Sequence, residues 1–354
     1  MNKLTVHVLF EHGTDLKPFG IAYIRDILPL TYPANAGSFQ VTYGLEYVKA
    51  DIVIVERTWK PGIDAAKAER LAAQARQDGA RLVFSIDDNL LDLEQFPPAT
   101  RMVLRYFCRE ADGVLVSTDF LKERLIGLNQ NIFVLPNAVD ERLFGNENEN
   151  TRAVKPTERR NVIGYMGTFT HDADLMMVYQ PLREVLRRYA DRLEFQLVGG
   201  VSNAAVLEAF RELPFRVLHV PVEDVAYPNF VAWMKKNLDW DLAIAPLGDT
   251  HFNRGKSDIK FLDYSALGIA GIYSQVPNYT STVSHLETGY LAQNTPTAWE
   301  EALETMLTDD ALRGRVAMNA RNYVYTSRTL EHCAVQWQAA LLEIVQMGLR
   351  IPSE

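Results

Sequence analysis

Arg254, Lys256 and Lys260 follow one another closely in the stretch Pro246 to Gly268, with Asp263 just beyond them. An apolar, strand-like run from Leu242 to Ala245 leads into this stretch, and the spacing predicts a helix entered at Ser257. Serine is a good N-cap. A helix start presents free backbone N–H groups and partial positive charge. Cations gathered at such a point suit a phosphate or diphosphate. Asp263, more than a turn into the helix, puts a carboxylate where sugar hydroxyls could donate to it, and His251 lies close enough to touch the sugar. The segment therefore reads as a receptor for a nucleoside diphosphate joined to a sugar. The plainer reading is a solvated basic face, because Lys256 and Lys260 are four residues apart.

Other chemistry-bearing residues stand at the ends of strand-like runs. Gly167 and Thr168 follow Val162–Tyr165, and a glycine there lets backbone N–H groups approach a phosphate. A tight turn explains the same glycine equally well. Gly199 and Gly200 end the run Leu193–Val198 and would flank the nucleotide, or simply turn the chain. Asp87 and Asp88 end the run Leu82–Ile86, where paired carboxylates could serve chemistry at an acceptor, cap a helix or hold a divalent ion. Arg25 and Arg57 could bind an anionic acceptor such as a lipid-linked diphosphate, or make ordinary ion pairs.

These residues need a scaffold. With 354 residues the chain exceeds the size of most single cores, and two domains are expected. A formal net charge of -9 argues against a nucleic-acid partner, whose recognition rests on a basic surface. An acidic protein that holds an anion must concentrate its positive charge locally. The two cysteines, Cys108 and Cys333, imply neither a disulfide framework nor a metal site. The N-terminal run lacks the apolar core of a secretory signal, so a cytoplasmic protein is expected, with peripheral contact at the inner face of the membrane compatible with the sequence.

Apolar runs alternate with helical patterns, the rhythm of parallel α/β construction. Strands are predicted at Leu4–Phe10, Ile52–Val55, Leu82–Ile86, Gly113–Val116 and Ile132–Leu135, and again at Val162–Tyr165, Leu193–Val198, Arg216–Val220, Leu242–Ala245 and Ala270–Tyr273. The polar stretch between Gly145 and Asn161 separates the two sets. The expected architecture is α/β: two Rossmann-like, doubly wound domains at residues 1–150 and 151–328, facing across a cleft. Residues 329–354 form a C-terminal helical tail that braces the lobes.

On three segments the chain resembles the GT-B glycosyltransferases, in particular the large retaining family four. Val134-Leu-Pro-Asn-Ala-Val-Asp140 is similar to that family's turn at the end of the first lobe, and Ile163-Gly-Tyr-Met-Gly-Thr-Phe169 to the opening of the second. Phe252 to Ser274, with Gly289-Tyr-Leu-Ala292, is similar to its donor-binding core. Of the family's two glutamates here, Asp263 matches the second, while Gly255 occupies the place of the first. The Arg and Lys that grip the diphosphate after the second-lobe opening strand are also missing. Residues Asn253 to Lys260 instead resemble a branch with an Asn-x-x-Lys-Ser-x-x-Lys pattern, which would move the grip to Arg254, Lys256 and Lys260. Asp87 matches a histidine near the acceptor.

The resemblance implies transfer of a sugar from a nucleotide-diphosphate sugar to a saccharide or lipid-linked acceptor, with retention and without metal or other cofactor. In that scheme Lys256, Lys260, Arg254 and Asp87 would carry the chemistry. Gly167, Thr168, Gly199, Gly200, Asn253, Ser257, Asp263 and His251 would hold the donor, with Arg25, Arg57 and Asp88 on the acceptor side. A catalytically silent nucleotide-binding scaffold and a nucleotide-sugar epimerase are the alternatives. A dinucleotide dehydrogenase is disfavoured, because no G-x-G-x-x-G follows the first strand.

Overall fold

The computed structural model describes residues 3–145, 160–167, 171–199 and 204–347. Thr168 and Gly200, and most of the polar stretch after Gly145, lie outside the described residues.

Twelve strands form two six-stranded parallel sheets. The first holds β1 (Leu4–Leu9), β2 (Phe39–Gly44), β3 (Ile52–Glu56), β4 (Arg81–Ile86), β5 (Gly113–Val116) and β6 (Ile132–Val134) in the order β2-β1-β3-β4-β5-β6. The second holds β7 (Asn161–Gly167), β8 (Leu193–Gly199), β9 (Phe215–Leu218), β10 (Leu242–Ala245), β11 (Ala270–Ser274) and β12 (Tyr290–Ala292) in the order β12-β11-β10-β7-β8-β9. Helices cover both faces, so the inner strands are largely buried. β3, β5, β10 and β11 show no exposed position. That burial is why they read in sequence as uninterrupted apolar runs.

Each sheet reverses its winding once. In the first, β1 and β3 lie side by side, and in the second β7 and β10 do. Chains leaving the carboxyl ends of such strands turn to opposite faces and leave a crevice between them, the usual ligand site of a doubly wound sheet. The residues leaving these strands are Glu11 and Arg57 in one lobe, and Gly167 and the loop from Pro246 in the other. The two crevices face each other.

The sheets are one strand wider than the sequence predicts. β2 was missed because it is an edge strand with largely exposed, polar positions, and β12 because it is short. The helical stretch after β7 is two helices, Asp172–Met177 and Tyr179–Arg188. Pro181 lacks the N–H that an unbroken helix would need, and the restart places it in a first turn.

The tail helix Leu330–Gln346 belongs to the core of the first lobe. Trp337, Leu341 and Ile344 are fully buried against Val6, Val8, Ile52 and Leu115 of the sheet. The Trp337 indole donates to the Arg25 carbonyl at 2.6 Å, and Asn35 donates to the Ala334 carbonyl at 2.9 Å. Just before it, Arg328 spans the lobes: its guanidinium donates to both Asp258 oxygens, at 2.9 and 3.1 Å, and to the Asn137 carbonyl at 2.8 Å. The chain returns to the first lobe through a strand-like bridge between Val139 and Thr329.

Trp337→Ala should therefore destabilise the whole protein by about 3–5 kcal/mol, the usual cost of emptying a large aromatic site. Urea unfolding followed by tryptophan-independent far-UV circular dichroism measures it.

Candidate functional site

The donor-side loop runs from Pro246 to a short helix at Ile259–Ala266. Ser257 does not cap that helix, contrary to the sequence reading. The helix starts two residues later, behind Asp258, whose carboxylate is engaged by Arg328 instead. The Ser257 hydroxyl accepts from the Asn137 amide at 2.8 Å, so the Pro-Asn turn of the first lobe grips the loop just before the helix.

Lys256 and Lys260 both turn into the crevice between the lobes. Lys256 is buried, with its ammonium 3.7 Å from Asp88 of the first lobe and over the Phe252 ring. Lys260 donates to Nε2 of His171 at 3.1 Å, and His171 Nδ1 lies 2.7 Å from Asp174. Burial, and then the charge of Lys260, push the His171 pKa down to about 4, so at neutral pH the ring is uncharged. With its proton on Nδ1, directed to Asp174, it offers Nε2 as an acceptor to Lys260. Asp174 also accepts from the Gly248 backbone N–H at 2.7 Å and the Asn253 amide at 3.1 Å. One carboxylate thus fixes the loop and, through the histidine, the lysine.

Burial, and then the charge of Lys256, bring the Lys260 pKa down to about 8. Two ammonium groups held this way lack a full set of counter-charges. A diphosphate entering the crevice would supply them.

His171 and Asp174 are the residues that sequence reasoning missed. Their His-x-x-Asp spacing just after the opening strand of the second lobe was the available signal. They stand near where the missing Arg and Lys of the resembled family would be.

Other donor-side expectations sort as follows. Arg254 does not join the lysines: it turns outward, about half exposed, and donates to Asp249 at 2.7 and 3.0 Å. Asn253 is buried, and its amide is spent on Asp174 and the Gly248 carbonyl, so it braces the loop. His251 is turned toward the first lobe, 3.0 Å from Asp92 and edge-on to Phe120. Asp263 is buried, accepts from the Tyr227 hydroxyl at 2.8 Å, and has its pKa pushed up to about 7 by burial. Gly167 and Gly199 are paired across β7 and β8, and a Cβ on Gly199 would meet the Gly167 carbonyl oxygen at 2.1 Å. Gly199 is required by this close approach and by its φ of 94°, whereas a Cβ on Gly167 would meet the Tyr165 ring and hydroxyl at 2.7 Å.

On the first lobe the structure overturns the reading of Arg25. It is 1% exposed, donating to the Leu135 carbonyl and, at 2.9 Å, to Asn137, with its guanidinium against Trp337. A π-turn at Tyr23–Ile27 rotates the helix that carries it. No acceptor can reach this side chain. Arg57 does face the crevice, on a backbone held at φ 51°, a strained value for a side chain of this kind. Its guanidinium is already shared by Glu11 at 3.2 Å, Asp87 at 3.5 Å and Asp88 at 3.9 Å. Burial opposes the charge on Asp88, but Lys256 and Arg57 outweigh it and keep the carboxylate ionised. For Asp87 burial wins over Arg57, and its pKa rises to about 6. Arg57 and Lys256 are the cations paired with the two aspartates.

Gly255 explains the missing glutamate. A Cβ there would lie 2.9 Å from the Asn89 Cβ and 3.0 Å from the Asn89 backbone nitrogen. The loop is docked on the first lobe at this point, and only glycine fits between.

No protein-family model matches the sequence, and no curated protein does. Solved structures do match it. Anabaena HepE in complex with UDP-glucose superposes with a TM-score of 0.68 at 12% identity, over 96% of this chain and 100% of that one. Sucrose-phosphate synthase from Thermosynechococcus elongatus gives 0.68 at 13% identity, over 97% and 99%. A glycosyltransferase from Rickettsia africae gives 0.65 at 13%, over 98% and 100%. The fold is GT-B, as the resemblance implied.

Gly255→Ala should cost about 1–3 kcal/mol through overpacking between the lobes, and Gly255→Glu more, without any gain in activity. Thermal melts and small-angle scattering, which reads separation of the lobes, check this. A second expectation concerns pH. The folded protein keeps a proton on Asp263 up to about pH 7, whereas the unfolded chain loses it near its ordinary value of 3.8. This group therefore makes stability fall as pH rises between those values. Asp263→Asn removes that loss and should stabilise the protein on the order of 2 kcal/mol more at pH 8 than at pH 5. Urea titrations of both proteins at the two pH values decide it.

Proposed function

We propose that the protein is a glycosyltransferase that moves a sugar from a nucleotide-diphosphate sugar to a saccharide or lipid-linked acceptor. The observation that carries this reading is the lysine pair, Lys256 and Lys260, held in the crevice between two GT-B lobes with Lys260 propped on a neutral His171. The complex of UDP-glucose with Anabaena HepE, a protein of the same fold, supports a donor of this kind.

As the diphosphate leaves, negative charge grows on its oxygens. Ammonium groups already in place stabilise that charge without reorganising, the role a divalent ion would otherwise fill. On this reading the reaction needs no metal. The leaving phosphate takes the acceptor's proton on the face it vacates, which gives retention and asks for no protein nucleophile. A glycine at 255 is then tolerable, since the sugar is stabilised by the diphosphate and not by a carboxylate at that position. Asp263 would receive donor hydroxyls, and the bare strand ends at Gly167 and Gly199 would lie along the nucleotide. The reaction would take place in the cytoplasm, at the inner face of the membrane if the acceptor is lipid-linked. No helix among the described residues is long and apolar enough to cross a membrane.

Gly255 also favours a second reading, a silent nucleotide-binding GT-B protein, because no side chain there can reach a donor sugar. Thermal shift over nucleoside diphosphates and their sugars, followed by turnover of the best binder, separates the two: stabilisation without sugar release or transfer is the silent protein. For an active enzyme, Lys256→Ala and Lys260→Ala should each lower turnover by about a hundredfold, near 3 kcal/mol of barrier. Near-normal rates in both would overturn the assignment.

A further inference from the structure

We infer that a nucleoside diphosphate is taken into this crevice together with a proton, which Lys260 accepts as the anion arrives. The inference rests on the glycosyl-transfer reading and concerns how pH governs the donor site.

Lys260 is held by a ring nitrogen and not by a carboxylate. It donates to His171 Nε2 at 3.1 Å, and among the described residues no carboxylate forms an ion pair with it. Lys256, by contrast, has Asp88 at 3.7 Å. A carboxylate beside a lysine favours only the ammonium form. A neutral ring nitrogen does not choose, because an ammonium and a neutral amine both carry N–H groups to donate to it. His171 is fixed in this accepting role: Nδ1 lies 2.7 Å from one Asp174 oxygen, and the other oxygen accepts from the Gly248 N–H and the Asn253 amide. The scaffold therefore stays intact whether or not Lys260 is charged.

The surroundings decide when that charge is given up. Burial and the facing charge of Lys256 lower the Lys260 pKa to about 8, against the pull of Asp174, Asp88 and Asp263. The Tyr165 ring lies on the remaining side, 5.9 Å from the nitrogen. A diphosphate between the two lysines would place negative charge next to Lys260 and return it toward the ordinary lysine value of 10.5. In the window between those values binding takes up a proton, so affinity falls as pH rises through it. Release of the nucleotide runs the same linkage backwards: Lys260 sheds the proton, and the empty crevice returns to a single lysine charge.

Isothermal titration calorimetry tests this on the protein as it stands. UDP, GDP and ADP are titrated at pH 7, and the tightest binder is carried to pH 8.5 in buffers of different ionisation enthalpy, which counts the protons exchanged. The expected result is uptake of roughly 0.7 proton per nucleotide at pH 8.5, with affinity falling about eightfold between pH 7.5 and pH 9. Lys260→Arg keeps its charge throughout and should bind with no such uptake; Lys260→Met, which has no proton to gain, is the second variant if arginine disrupts folding. Binding by the unaltered protein without proton exchange would overturn the inference and leave the donor reading standing. So would uptake that persists in a folded Lys260 variant, since the proton would then belong to Asp263 or another group. Failure of all three nucleotides to bind at pH 7 would overturn the donor reading, and this inference with it.

Discussion

Two lysines share a largely buried space between the lobes, and the rest of the site follows from keeping both there. Lys256 and Lys260 lie close enough to repel, and burial makes the Lys260 charge costlier. The protein answers with a neutral histidine for one and a carboxylate from the opposite lobe for the other. His171 can play this part only while uncharged, and it stays so because it is itself buried beside Lys260. Asp174 then orients the ring and, with its other oxygen, pins the loop that carries the lysines. Removing any member would leave a buried polar group without a partner. Lys256 thus has a carboxylate beside it, whereas Lys260 rests on an uncharged ring.

The sheets explain why the lysines come to lie there. Both lobes reverse their strand order, and each reversal opens a crevice at the carboxyl ends of adjacent strands. One crevice offers cations and bare backbone, the other carboxylates and Arg57. On the proposed glycosyl transfer, this asymmetry would divide the cleft into a place for the leaving group and a place for the hydroxyl that replaces it. The close approach at Gly255, the Asn137–Ser257 hydrogen bond and the His251–Asp92 pair hold the halves in register.

Much of this was legible in the sequence. Strands enclosed on both faces appear as unbroken apolar runs, so ten of the twelve could be placed, and the cation-bearing loop announced itself by charge in an otherwise acidic chain. What escaped depends on contacts distant in sequence. The helix after Ser257 starts late because Arg328, some seventy positions on, occupies Asp258. Arg25 was offered to an anionic acceptor, but it lies in a π-turn that buries it, and that turn leaves no trace in the apolar spacing. Arg254 was assigned to the anion site although Asp249, five residues earlier, was available to pair with it. His171 and Asp174 show the opposite failing, a local pattern that was present and went unused.

The core beneath β1, β3 and β5 is closed by residues that follow the second lobe in sequence. Leu330, Trp337, Leu341 and Ile344 supply one side of it, and Arg81 donates to the Val345 carbonyl at 2.9 Å. During synthesis the first sheet therefore emerges with an apolar face uncovered, and it waits while the entire second lobe is translated. The covering helix leaves the ribosome only after that lobe has been made, so the apolar face stays open throughout its synthesis.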